Sequence, residues 1–199
     1  MKFRLLCVCA MLICEVGHSQ VHFGVKGGMS FANAAKLSNS PTVRVAGYFG
    51  GKVWIPLGGS FSFAPELLFS GKGYQRHEVG GEKGYPVRLN YLSAPILFDY
   101  LFDTKTHLSL GAEIEYLFSA KMVYKGKKMD VKYLFTPDFD LGLCVGIDHQ
   151  FSKNLSVEFR YIHGVTKIYR PYTPDFSTEL YDMEGYNRVF QIGLIYDFH

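Results

Sequence analysis

Strict alternation of residue type constrains this chain more than any other feature. Phe139, Leu141, Leu143, Val145 and Ile147 take every second position. Asp138, Asp140, Gly142, Cys144, Gly146 and Asp148 fill the places between. A period of two belongs to a β-strand, whose successive side chains point to opposite faces. The pattern recurs where Leu108, Leu110, Ala112, Ile114, Tyr116 and Phe118 alternate with Ser109, Gly111, Glu113, Glu115, Leu117 and Ser119. It recurs again over residues 155–161 and 190–198. Four earlier segments, 21–31, 43–55, 61–70 and 89–101, follow it less cleanly. Pro65 and Pro95 sit inside two of them. Proline has no N–H for the ladder, so a bulge or local break is expected at each.

The connections between these eight segments alternate in length. Residues 56–60, 102–106 and 152–154 make short turns. Residues 32–42, 71–88, 121–137 and 164–188 make long ones. Short periplasmic turns with long extracellular loops are the asymmetry of outer-membrane barrels. Past residue 20 no apolar run is long enough for a transmembrane helix. Mean hydropathy lies near zero, as it does when only alternate strand residues face lipid. The expected fold is all-β: an eight-stranded antiparallel transmembrane β-barrel with short periplasmic turns and long extracellular loops.

A secreted soluble barrel or sandwich shows the same alternation with its apolar face inward. Three features favour the membrane. The polar face carries Lys26, Arg44, Lys52, Glu66, Glu113, Glu115, Asp140, Glu158 and Arg160, with both signs available to pair. Aromatic residues gather at the strand ends, as in interfacial girdles. The last apolar segment ends at Phe198, an edge that a soluble sheet would leave exposed. Parity also turns Trp54 inward, an awkward place for an indole unless a twist near the turn releases it.

The first residues read as a targeting segment. Lys2 and Arg4 form a basic start, residues 5–13 are apolar but too short to cross a bilayer, and Gly17 and Ser19 are small. Cleavage is expected after Ser19, dividing the chain into a signal peptide, 1–19, and a barrel domain, 20–199. Cys7, Cys9 and Cys14 would leave with it, so Cys144 would have no intrachain disulfide partner. The formal charge of +3 would fall to +2 with the loss of Lys2, Arg4 and Glu15. That balance gives no argument for nucleic acid.

The chain resembles the PorT-like outer-membrane β-barrel family of small porin-family proteins. The resemblance lies in Phe23–Ala32 (FGVKGGMSFA), Phe61–Gly73 (FSFAPELLFSGKG) and Leu89–Tyr100 (LNYLSAPILFDY). It continues through Asp138–Tyr169 and Val189–Phe198 (VFQIGLIYDF). The glycine-rich first strand and the Tyr-Leu-x-x-Pro of Tyr91–Pro95 are its most telling pieces. The resemblance implies an eight-stranded barrel integral to the outer membrane. The family's namesake is tied to protein export through the type IX secretion system, and no residue motif here encodes that role.

Two groups of residues are candidates for function. Lys26, Arg44, Glu66, Glu113, Glu115, Asp140, Glu158 and Arg160 are expected to form a salt-bridged lumen filling, since charges buried in a narrow barrel must pair. Lys121, Lys125, Lys127 and Lys128 in the third long loop suit lipopolysaccharide phosphates or simple solvation. Tyr169, Tyr172 and Tyr181 in the fourth suit either a binding surface or a loop folded over the mouth. His163, high on the seventh strand, is the histidine best placed for outer-leaflet lipid chemistry. It lacks a serine on the outward face at its height, so no catalytic residue is expected. No spacing suits a metal or a cofactor. The expectation is a non-enzymatic surface structural or interaction protein of the outer membrane. Its partners would be membrane lipid and a protein reached through the extracellular loops. The alternatives are a lipid-modifying enzyme, a narrow solute channel and an accessory factor for secretion.

Overall fold

In a computed structural model, the described residues are 21–35, 42–76, 84–135, 138–169 and 185–198. The strands are β1 (His22–Ala35), β2 (Thr42–Gly58), β3 (Phe61–Gln75), β4 (Pro86–Leu101), β5 (Thr106–Tyr124), β6 (Lys127–Asp130), β7 (Phe139–Ser152), β8 (Leu155–Gly164) and β9 (Tyr186–Phe198). Eight of them close into an antiparallel barrel in the order β4-β3-β2-β1-β9-β8-β7-β5, with β4 pairing β5. Closure leaves no sheet edge within the wall, which is what lets strands cross a membrane. β6 is a short return strand on β5, standing above the barrel wall. The targeting segment, with Ser19 and three cysteines, lies outside the described residues, as do Tyr172 and Tyr181.

Burial is inverted relative to a soluble protein. Leu67, Leu110, Leu143, Val145 and Leu194 are exposed on the outer wall, while Lys26, Lys52, Glu113 and Glu158 are buried inside. Aromatic residues band the outer wall at both ends. Phe49 stacks on Phe69 and Phe69 meets Phe118 edge-on toward the extracellular side. Phe61 packs on Tyr100 and Phe63 on Phe98 toward the short turns.

Neither proline shifts the register. β3 and β4 pair Pro65 with Ile96 and Leu68 with Ser93, one register on both sides, with Glu66 and Leu67 skipped between. β4 pairs Pro95 with Glu113 without a shift. The two prolines lie side by side, so the missing N–H groups fall in one small gap instead of two bulges. A true bulge falls elsewhere. Asn90 pairs Ser119 and Tyr91 pairs Leu117, leaving Phe118 as an extra residue. Parity flips there, and Leu117 and Ala120, three apart, are both buried.

The extracellular mouth is filled by apolar side chains. Tyr74, Leu89, Tyr91 and Leu117 from the wall meet Val131 and Phe135, which follow β6, and Ile168 and Tyr169, which follow β8. Phe135 and Tyr169 form an isolated bridge, and their rings lie 5.0 Å apart. The Tyr74 and Tyr169 hydroxyls hydrogen-bond. Two connections thus fold back into the mouth, because no water-exposed position would satisfy that much apolar surface.

At the opposite end the turns are tight. Asp103 accepts the backbone N–H groups of Lys105 and Thr106, each at 2.8 Å. These bonds hold its carboxyl below the usual carboxylate range. Gly58 and Gly59 turn β2 into β3 at positive φ, +111° and +59°. Gly126, φ +77°, turns β5 into β6 at the other end. An epitope inserted after Gly126 is expected to be reached by antibody on intact cells, and one inserted at Gly58–Gly59 only after the outer membrane is opened. Access to the second site alone would invert the topology.

Candidate functional site

The inward parity of eight strands brings charged residues from distant parts of the chain into one bore. They form layers. Nearest the short turns, the Lys52 ammonium lies 2.8 Å from Asp99, 3.0 Å from Asp148 and 3.8 Å from Glu66. Trp54 does point inward, as parity requires. Its Nε1–H donates to Asp99 at 3.1 Å, and the Lys52 ammonium sits 4.9 Å from its ring centroid. The indole is accommodated because its polar edge has a carboxylate and its face has a cation.

The middle layer is built on Glu66 and Glu158. Arg160 donates both ends of its guanidinium fork to Glu66, at 2.8 and 2.7 Å, and reaches Glu158 at 3.0 Å. Lys26 donates to Glu66 at 3.2 Å and also to Glu158. Tyr48 crosses from β2 to donate to Glu158 at 3.2 Å. The crossing depends on Gly193. A Cβ there would stand 2.2 Å from the Tyr48 hydroxyl and 2.6 Å from the Gly27 carbonyl oxygen. Bidentate geometry is what allows a desolvated pair to offset the cost of burial.

The upper layer is unbalanced. Lys72 donates to Glu113 at 2.5 Å and to Glu115 at 2.6 Å, and Ser93 bonds Glu115. Asp140 accepts from the Asn187 amide at 2.6 Å and from Thr166. One ammonium therefore faces three carboxylates, two of them its direct partners. Neutral donors serve the third.

Seven of the eight expected lumen residues meet in these layers. Arg44 does not. Its guanidinium donates to the backbone carbonyl of Lys72, because the β2–β3 ladder lapses beside it and turns it into the wall. Lys72, Lys52, Asp99 and Asp148 complete the network. The last three lie on the inward parity of their segments. Lys72 lies beyond the stretch where alternation is legible.

Of the surface candidates, Lys121, Lys125, Lys127 and Lys128 are exposed around the β5–β6 hairpin. Tyr169 is not a surface residue: it is buried in the mouth against Phe135 and Tyr74. His163 is exposed on the outer wall, 3.2 Å from the Tyr161 hydroxyl. Among the described residues no His, Cys, Asp and Glu cluster has the geometry to hold a metal ion.

The family described as outer membrane protein beta-barrel domain matches residues 15–170, more than half of the chain. No curated protein matches the chain in sequence. Among solved structures, the chain is similar to Neisserial surface protein A (NspA), with a TM-score of 0.56 and 14% identity. The match covers 88% of this chain and 97% of that one. It is also similar to the outer membrane protein OprG from Pseudomonas aeruginosa, with a TM-score of 0.51 and 14% identity. That match covers 92% of this chain and 99% of that one. At such identity the likeness concerns the fold.

Proposed function

This chain belongs to the outer membrane protein beta-barrel domain family, and from that premise we propose a closed, non-enzymatic barrel of the PorT-like type that acts through its extracellular face. It is an integral outer-membrane protein. The observation that carries the proposal is the occlusion of the bore. Paired side chains cross it in three layers, and an apolar plug that includes Phe135 and Tyr169 fills its mouth. An eight-stranded barrel has an interior about wide enough for its own side chains. Work at the cell surface then falls to the exposed hairpin, where Lys121, Lys125, Lys127 and Lys128 face lipopolysaccharide phosphates or an acidic partner protein. The non-enzymatic part is supported by His163, whose hydrogen-bond partner among the described residues is the Tyr161 phenol and not a serine or a carboxylate. Maturation by cleavage after Ser19 belongs to the same proposal, and N-terminal sequencing of the protein from outer membranes checks it.

The test is conductance. Purified protein in a planar bilayer is expected to give no stable open-channel steps at moderate voltage. Removing cross-bore side chains together, as in Glu113→Ala with Glu115→Ala and Arg160→Ala, is expected to open measurable steps. Large stable conductance from the unmodified protein would overturn the proposal.

A further inference from the structure

The wall of the barrel has a flaw on its extracellular half. β2 pairs with β3 at Val43–Tyr74 and again at Tyr48–Ser70, with a register shift between them. Over that interval the wall opens into a cleft of about 290 Å³, lined by Arg44, Gly47, Phe49, Phe69, Gly71 and Phe118 among others. Gly47 and Gly71 present no side chain to it. Phe49, Phe69 and Phe118 are exposed outer-wall aromatics that touch in a row. The outer rim of the cleft, where the wall faces acyl chains, is therefore apolar, while Ser70 and Asn90 line its deeper part.

Its upper end is basic. Arg44 follows Val43, the partner of Tyr74, and so lies beside Gly73; Gly73 pairs with Arg88, and Arg88 pairs with Lys121. Gly73 offers no side chain between the two arginines. Arg88 is near enough to Arg44 for their charges to repel. Like charges directly opposite across strands are destabilising, yet Arg88 and Lys121 stand so, exposed on the outer wall. Among the described residues neither has an ion-pair partner within salt-bridge distance, although Asp130 pairs with Lys121 across the β5–β6 ladder. Arg44 uses one N–H on the Lys72 carbonyl, and a guanidinium has five.

This basic row stands three to five residues beyond the aromatic row. At about 3.3 Å per residue that is roughly 10–16 Å along the tilted strands. Interfacial aromatic rings stand where acyl chains give way to headgroups, so the basic row lies on the water side of that boundary, among the phosphates and sugars of the outer leaflet. We propose that this cleft is a binding site for one phosphorylated lipid of the outer leaflet. Its phosphate is held by Arg44, Arg88 and Lys121, and an acyl chain lies over Gly47 and Gly71 between the phenylalanines. The anion relieves the repulsion within the row, and arginine's planar fork suits phosphate oxygens. The inference rests on the outer-membrane placement and not on the closed bore, so a conducting barrel would leave it standing.

Diphosphoryl lipid A is the probe, titrated against folded full-length barrel in detergent, with heat-modifiable gel migration confirming the fold of every variant. Arg88→Glu with Lys121→Glu is expected to weaken binding at least tenfold. Lys153→Glu, at an exposed periplasmic-side turn, is expected to leave it unchanged. Fully dephosphorylated lipid A is expected to bind the unmodified protein at least tenfold more weakly than the diphosphoryl form. Gly47→Leu tests the cleft itself. A Cβ there meets only the Gly28 carbonyl oxygen at 3.7 Å, an ordinary contact, so the barrel tolerates it while the side chain fills the groove. It is expected to weaken binding several-fold with the charges intact. If the glutamate pair does not fold, Arg88→Gln alone replaces it, with a several-fold loss expected. Equal binding of the two lipid forms, or equal loss from Lys153→Glu and the double variant, would overturn the site. Unchanged affinity in Gly47→Leu would overturn the acyl-chain groove.

Discussion

Lys72→Met is expected to destabilise the barrel by about 3–5 kcal/mol, the range for removing one partner of a buried ion pair. The ammonium is the cation that directly contacts Glu113 and Glu115, and all three side chains are essentially inaccessible to water. Methionine nearly preserves the volume of the lysine stem, so the loss is electrostatic and not a cavity. Two carboxylates would then stand in the bore without their cation, and Asp140 would add a third. The control is the triple variant Lys72→Met, Glu113→Gln and Glu115→Gln. It removes the ammonium and both carboxyl groups and is expected to recover most of the loss, because replacing a whole buried cluster often costs little. Urea titration of the barrel in lipid vesicles, followed by heat-modifiable gel migration, gives both values. A shift under about 1 kcal/mol in the single variant would mean that water reaches the upper layer, and the occlusion argument would fail with it.

The parity that places Lys72 in the bore also explains what the sequence conceals. Alternation is legible wherever one strand crosses the membrane without interruption, as from Phe139 to Ile147. Inward and outward sets there can be assigned residue by residue, and seven of eight lumen charges follow. It fails wherever two residues oppose one. The extra residue at Phe118 brings Leu117 and Ala120 to the same side, so β5 looks finished there although it runs to Tyr124. Lys72 is missed for a related reason. Its stretch, Gly71-Lys72-Gly73, has no apolar partner to set a phase. Arg44 has the right parity and the wrong destination, since a lapse in the pairing of β2 with β3 diverts it toward Lys72, 28 residues away. Tyr169 falls in a connection whose tyrosines suit a surface and a plug equally. Only the partner rings, Phe135 and Tyr74, decide between them, and neither is near it in sequence. Local pattern thus reports facing, and it does not report register or the path of a long loop.

Val145→Arg is expected to cost about 2–4 kcal/mol, the penalty for a cation at the midplane of an outer-membrane barrel. Val145 lies six residues from Phe139 and six from Phe151, the outward aromatics near either end of β7, and it is exposed on the outer wall. An arginine there has no short route for its guanidinium to either interface. The neighbouring inward position gives the contrast. Cys144 is buried in the bore against Ala64, Leu97 and Ile162, so the same strand offers lipid-facing and lumen-facing probes one residue apart. A lipid-soluble maleimide is expected to label Val145→Cys in a Cys144→Ser background and to leave the native Cys144 unlabelled. Labelling of Cys144 and not of position 145 would reverse the facing of β7. Because every barrel strand is tied to its neighbours by register, it would reverse the whole wall, placing the charge layers against lipid at a cost that no folded barrel sustains.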